Sequence, residues 1–262
     1  MNILVCIKQV PGTNKVEIDP ETGVLKRGGV DSKMNPYDLY ALETALRLKE
    51  QHGGKVTAIT MGPPQAEQIL REAYSMGADE GILITDRRFG GADVLATSYT
   101  LAQGIRKAGD FDVILCGQQT TDGDTAQVGP EISEWLDIPS VSWVRRILES
   151  GGDFLTIEME MPGCIEVARL PYPCLITVEK DIFMPRLPSY RKKTESRGRP
   201  VRKLSLDDMD DQEETHYGLN GSPTQVQRIF PPQTVREQEI WDGDGAELAG
   251  RLFGKLRELK FV

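Results

Sequence analysis

Between Gly117 and Pro130 the chain reads Gly-Gln-Gln-Thr-Thr-Asp-Gly-Asp-Thr-Ala-Gln-Val-Gly-Pro. A run of this kind suits one piece of chemistry, holding a phosphate. The hydroxyls of Thr121 and Thr125 and the backbone N–H groups of residues 122–126 can donate to phosphate oxygens, and Gly123 permits close approach. An apolar run, residues 112–116, leads into the segment, and a helix-like stretch, residues 124–136, follows it. A strand feeding a polar loop and then a helix presents unpaired N–H groups and a positive helix end. The same residue types also suit an ordinary capped turn, because Asp and Thr favour helix starts. Asp122 and Asp124 oppose a phosphate unless their carboxylates cap the helix or point away while the backbone binds.

Similar turns stand where other strands are expected to end: Lys8-Gln-Val-Pro11, Met61-Gly-Pro-Pro64 and Gly90-Gly-Ala-Asp93. In an open parallel sheet, ligands sit beyond the carboxyl ends of the strands, so turns converging there support the phosphate reading. No catalytic set accompanies them. There is no Gly-x-Ser-x-Gly, no Walker A sequence and no Gly-x-Gly-x-x-Gly, and His52 and His216 are too few for a triad or a histidine-built metal site. The cysteines Cys6, Cys116, Cys164 and Cys174 form no Cys-x-x-Cys pair and read as small core residues in a reducing compartment. A nucleotide-like site without acid–base or nucleophilic machinery favours a binder, or a redox carrier whose cofactor does the chemistry.

The elements that must position these turns alternate. Apolar runs at 3–10, 56–60, 81–85, 113–116 and 174–178 are separated by amphipathic stretches at 36–51, 65–76, 92–107 and 124–136. Within 65–76, Ala66, Ile69, Ala73 and Met76 recur at the spacing of one helix face. This alternation predicts an α/β fold with a doubly wound, mostly parallel sheet. Asn35-Pro36 marks a helix start, with Asn as N-cap, Pro at the first helical position and Asp38 in the first turn. Residues 16–26 suggest a small hairpin, and 155–161 with 164–170 an antiparallel hairpin appended to the sheet.

With 262 residues and a net charge of −9, the chain can bury a sizeable core and is a poor nucleic-acid binder. No apolar run approaches a membrane span, and the N-terminus reads as a strand rather than a leader, which points to the cytoplasm. Beyond Val178 the composition changes. Residues 186–203 carry eight Lys or Arg against Glu195 alone, and 207–214 carry six acids and no base. Such blocks are usually solvated, and a partner-binding arm is the sharper reading. Leu248, Leu252, Leu256 and Leu259 then share one face of a last helix opened by Asp244 and Glu247, a face that must cover this domain or another subunit. The expected divisions are an α/β domain over 1–184, a docking loop and charged arm over 185–223, and a C-terminal segment over 224–262.

Five segments in sequence order, Val5-Cys-Ile-Lys-Gln-Val-Pro11, Met34-Asn-Pro36, Thr60-Met-Gly-Pro63, Met76-Gly-Ala-Asp79 and Thr121-Asp-Gly-Asp-Thr-Ala-Gln-Val-Gly129, resemble the beta subunit of electron transfer flavoproteins. The resemblance implies an adenine-nucleotide-binding, Rossmann-like domain paired with an alpha subunit that carries an electron-transferring FAD. Ordinary members hold AMP in the beta subunit. The resemblance places adenine and ribose contacts at Cys6, at Asn35, Pro36, Tyr37 and Asp38 and at Met61, with Ile7, Lys8 and Gly62 beside them. Phosphate contacts map to Gln118, Gln119, Thr120, Thr121, Asp122, Gly123, Asp124, Thr125, Ala126, Gln127, Val128 and Gly129.

The chain further resembles the electron-bifurcating subset, which binds a second FAD in place of AMP and takes a hydride from NADH. Gly123, Thr125 and Ala126 leave room and donors for a pyrophosphate, whereas AMP-binding members tend to carry more acid there. Residues 90–97 resemble the segment near the presumed NADH site and bring in Asp93 and Thr97, although Val94 stands where Thr is expected. Implied partners are the alpha subunit, an FAD-dependent dehydrogenase and a ferredoxin or flavodoxin, with docking at Leu187 and Pro188. Arg191, Lys192 and Lys193 would steer association with an acidic surface. The alternative within the family is a conventional shuttle with AMP. The alternative from another class is an ATP-sensing or adenylating module, whose pyrophosphatase form needs a Ser-Gly-Gly-x-Asp-Ser loop that Lys8-Gln-Val-Pro11 does not provide.

Overall fold

The computed structural model describes residues 1–12, 32–227 and 238–262. The hairpin expected at 16–26 lies outside them. In chain order the elements are β1 (Asn2–Cys6), β2 (Gln9–Pro11), β3 (Ser32–Met34), α1 (Pro36–His52), β4 (Lys55–Met61), α2 (Glu67–Met76), β5 (Glu80–Ile84) and α3 (Val94–Ala108). There follow β6 (Val113–Gly117), α4 (Val128–Leu136), β7 (Ser140–Ser150), β8 (Phe154–Met161), β9 (Cys164–Pro171), β10 (Cys174–Val178), α5 (Tyr190–Glu195), β11 (Arg202–Leu204) and α6 (Gly245–Glu258).

Nine strands form one sheet in the order β11-β5-β4-β1-β6-β10-β7-β8-β9, and β2 pairs with β3 in a separate ribbon. From β11 to β7 every pairing is parallel, while β7, β8 and β9 form an antiparallel meander. Both faces of the central parallel strands are covered, as the sequence alternation requires, whereas β9 is mostly exposed. Ile3 and Val5 face one cluster with Leu42, Leu46, Ile69 and Leu70 from α1 and α2. Leu4 and Cys6 face another, with Leu101 and Ile105 from α3 and Ile132 from α4. Alternate residues of β1 thus serve opposite layers, the period-two rule of a strand buried on both sides.

Two features depart from the sequence reading. Residues 124–127 are loop, and α4 begins only at Val128. Asp124 and Ala126 have φ of 54° and 56°, a left-handed conformation that no α-helix can continue through. The charged segment read as an arm also returns to the core. Arg202–Leu204 extend the sheet beside β5, and Leu204, Leu206, Met209 and Tyr217 are buried. The charges are matched rather than merely solvated: Arg88 pairs with Asp207 and Glu214, Lys107 with Asp210, and Lys203 with Glu67.

At the C-terminus, the Asp244 carboxylate caps α6 by accepting from Ala246 N and Glu247 N. No residue of that helix is buried, and Leu252, Phe253 and Leu259 are exposed. Among the described residues no helix is long and apolar enough to cross a membrane.

Candidate functional site

The carboxyl ends of β1 and β6, the start of α1 and the loop 118–127 meet around two polar side chains. Asn35 is wholly buried, and its side chain leaves its own helix uncapped. Instead its Nδ2 donates to Asp38 Oδ1 at 2.8 Å and to the Gln119 carbonyl at 2.9 Å, while its Oδ1 accepts from Thr121 N at 3.2 Å. One amide therefore ties α1 to the polar loop at two points. The N-cap preference read from the sequence has been redirected across the site, because the loop offers a carbonyl and an N–H that would otherwise be left without partners.

Asp38 lies beneath, 4% exposed, and accepts from Lys8 N at 2.7 Å. The N–H of Gly117 also bonds to it. Burial pushes its carboxyl up to about 7, against the hydrogen bonds from Asn35 and Lys8 that favour the charged form. A Cβ at Gly117 would lie 2.5 Å from Asp38 Oδ1 and 2.7 Å from the Tyr37 carbonyl carbon, so only glycine lets β6 pass this close to α1. Tyr37 is half-buried, and its hydroxyl accepts from Gln119 Nε2 at 3.5 Å. Met61 is half-buried at the end of β4, and Gly62 N donates to the Ile84 carbonyl.

The loop itself is exposed from Thr121 to Thr125. Lys8 Nζ pairs with Asp122 Oδ1 at 2.8 Å, Gly123 N donates to the same oxygen at 2.8 Å, and Gln119 Nε2 donates to Asp124 Oδ1 at 2.6 Å. Neither acid caps α4. Gln127 precedes that helix without a side-chain cap, which leaves the first amides of α4 facing the loop, while Pro130 contributes no N–H. A Cβ at Gly129 would come within 2.7 Å of the Thr177 methyl group, so the helix start is pressed onto the sheet. Two non-glycine residues in the left-handed region, Asp124 and Ala126, give successive amides the varied directions that suit an anion. Beneath the loop, Cys6 and Cys116 are register partners and both are buried. A hydrogen bond to Cys6 and burial push the Cys116 thiol up, away from the thiolate that a nucleophile needs.

The structure gathers Cys6, Ile7, Lys8, residues 35–38 and residues 118–129 into one neighbourhood. Asp93 and Thr97 belong to the start of α3. There the Asp93 carboxylate accepts from Ala96 N at 3.1 Å, Thr224 N at 3.0 Å and Thr224 Oγ1 at 2.7 Å, and Asp93 N donates to Ser222 Oγ at 2.8 Å. Thr97 N donates to the Asp93 carbonyl. Asp93 therefore fastens the chain's return segment to α3.

The segment around Leu187 is braced from below. Arg186 Nε bonds Glu43 Oε2 at 2.7 Å and its Nη1 bonds Glu50 Oε1 at 2.5 Å, and Ser189 N donates to the Ser75 carbonyl at 2.8 Å. Burial opposes the charge on Glu43, but Arg186 overrides it and holds the carboxyl below its ordinary value. Leu187 is 87% exposed on this brace, with Met184 and Tyr190 exposed beside it. Arg191 pairs with Glu195, and Lys192 Nζ donates to the Met76 carbonyl at 3.1 Å. The Glu43–Arg186 pair is not legible from sequence spacing. Its only signal is an acid amid Ala41, Leu42, Ala45 and Leu46, a position that demands a cation when buried.

A family model described as electron transfer flavoprotein domain matches residues 22–209. An electron transfer flavoprotein subunit beta from Thermoanaerobacterium thermosaccharolyticum is 47% identical, covering 98% of both chains. The chain belongs to the electron transfer flavoprotein beta-subunit family. The Clostridium acetobutylicum subunit beta is 45% identical over the whole of both chains. So is a protein of Acetobacterium woodii called caffeyl-CoA reductase-Etf complex subunit CarD. Membership in this beta-subunit family agrees with the doubly wound, mostly parallel sheet.

Proposed function

We propose that this electron transfer flavoprotein beta subunit is of the electron-bifurcating kind, working in a cytoplasmic complex with its alpha subunit. In this reading it binds FAD at residues 118–129 and accepts a hydride from NADH. The electrons then divide between the alpha-subunit FAD with its partner dehydrogenase and a ferredoxin or flavodoxin. The observation that carries the reading is the open side of the loop at Gly123. A Cβ there would meet only Thr120 Oγ1, at 3.6 Å, so the backbone can be approached closely along an exposed stretch rich in donors. The name of the Acetobacterium relative, which places that protein in a reductase–Etf complex, is in keeping with this reading.

The residues fit a diphosphate-bridged nucleotide. Lys8, the hydroxyls of Thr121 and Thr125 and the amides running into α4 would hold the diphosphate. Tyr37, Met61 and Gly62 would flank adenine and ribose. Asn35 and Asp38 keep the loop and α1 at a fixed separation. When bound, the flavin supplies the redox chemistry, and no side chain here has to move a proton. Asp93 and Thr97, at the α3 start, would lie toward the NADH side. Leu187 and Pro188, raised on the Arg186 brace, would dock the dehydrogenase, with Arg191 and Lys193 steering its approach. In this reading residues 185–223 form the docking unit, and α6 would lay its apolar face on the partner subunit.

The second reading, a conventional shuttle with AMP, is favoured by Asp122 and Asp124 flanking Gly123, since carboxylates disfavour a second phosphate. Cofactor counting on the co-purified heterodimer decides between them. Two FAD per heterodimer supports bifurcation, and one FAD with one AMP supports the shuttle. Gly123→Asp adds a third carboxylate to the exposed loop without touching the core. FAD occupancy in the beta subunit should fall at least tenfold, with the melting temperature within a few degrees of wild type. Unchanged occupancy in this variant would reject the loop as the diphosphate site.

A further inference from the structure

Asp122 is a carboxylate surrounded by donors. Its Oδ1 accepts from Lys8 Nζ and from Gly123 N, each at 2.8 Å, and the Thr120 hydroxyl also bonds its carboxylate. Burial opposes ionisation, yet these partners hold the acid below its ordinary range. An ammonium, a backbone amide and a hydroxyl converging on one anion are the donors that a phosphate group takes. The side chains of Lys8 and Asp122 are 44% and 34% exposed, so an incoming anion can reach both.

We propose that Asp122 is a built-in stand-in for the ligand's phosphate, and that a phosphate-bearing ligand binds by displacing this carboxylate from Lys8 and the Gly123 amide. The inference rests on the reading that residues 118–129 take a phosphate, and it adds how that site is regulated. A nucleotide then gains only the difference between its own contacts and those Asp122 gives up, which keeps binding reversible. A group with two or more negative charges outcompetes a single carboxylate on these donors, whereas a neutral nucleoside has nothing with which to displace it. Asp122 therefore selects for phosphorylated ligands while lowering affinity for all of them. Lys8 keeps an anionic partner in both states.

The test is calorimetric titration of the nucleotide-stripped full chain with FAD, inorganic pyrophosphate and adenosine. Asp122→Asn should tighten FAD and pyrophosphate about five- to tenfold and leave adenosine unchanged. Lys8→Met should weaken FAD and pyrophosphate by a similar factor, and the double variant should bind both more tightly than Lys8→Met alone, because Asp122 still occupies the Gly123 amide in that variant. Weaker FAD binding in Asp122→Asn would overturn the proposal and make Asp122 a simple brace. An equal gain for adenosine would also overturn it, because general loosening of the loop favours every ligand. If neither variant alters FAD or pyrophosphate binding, the phosphate reading of the loop itself fails.

Discussion

Tyr217→Ala should lower the stability of the chain by about 3–5 kcal/mol, as a denaturant titration would measure it. Tyr217 is wholly buried although it sits in a segment whose composition reads as solvated. Its ring packs on Phe89 at 5.5 Å and Tyr99 at 5.4 Å, and its hydroxyl donates to the Asp211 carbonyl at 2.6 Å. Truncation leaves an aromatic-sized void and a carbonyl without its donor. The neighbours cannot fill that void, because Tyr99 is itself fixed by a hydrogen bond to Asp211 Oδ2 and an edge contact with Trp135. Residues 205–224 should then become the first site of proteolytic cleavage, since Asp93 would be left as the main fastening of their end. A loss under about 1 kcal/mol would mean that the segment around Tyr217 is an appendage rather than part of the core.

The second large effect is a pH dependence. The carboxyl of Asp38 is raised from 3.8 to about 7 by burial, so the native state holds a proton that the unfolded chain gives up at lower pH. A raised native value means stability that is fully present below about pH 4 and is lost as pH rises to about 7. Three pH units correspond to on the order of 4 kcal/mol. The useful quantity is the difference between wild type and Asp38→Asn across this window, because other titrations cancel in it. The variant should gain on wild type by on the order of 4 kcal/mol from pH 4 to pH 7, whatever its absolute stability. Parallel curves would show that Asp38 ionises normally. Asp86 and Asp211, held down to about 2, act with the opposite sign and at lower pH, so they do not obscure the result. Arg88 is the main cause for Asp86, and the Tyr99 hydroxyl for Asp211.

The parts of this molecule that were legible in its sequence are those that one period and one set of caps can specify. The helix starting at Pro36 and the face of α2 on Ala66, Ile69, Ala73 and Met76 follow directly from spacing. The doubly wound sheet follows from alternation. What escaped depends on partners far along the chain. Arg202–Leu204 is too short and too basic to look like a strand, and it becomes one only because β5 offers an open edge. The onset of α4 lies four residues later than its residue types suggest, since Asp124 and Thr125 look like caps while the backbone at 124 and 126 is left-handed. In the candidate site, the residue types were readable but their division of labour was not. Asn35 reads as a helix cap and works as a cross-tie; Asp122 reads as an obstacle to phosphate and sits on the donors that a phosphate would use.

The pairing of β11 with β5 has a consequence for synthesis. Ile82 and its register partner Arg202 are separated by most of the domain. At roughly 5–20 residues per second, a ribosome needs about 6–24 s to deliver the second after the first. Throughout that interval the nascent protein carries an open, apolar sheet border of the kind that recruits other chains. Expression at lower temperature, or with a holding chaperone, should therefore raise the yield more than any change made in the exposed loop at residues 121–125.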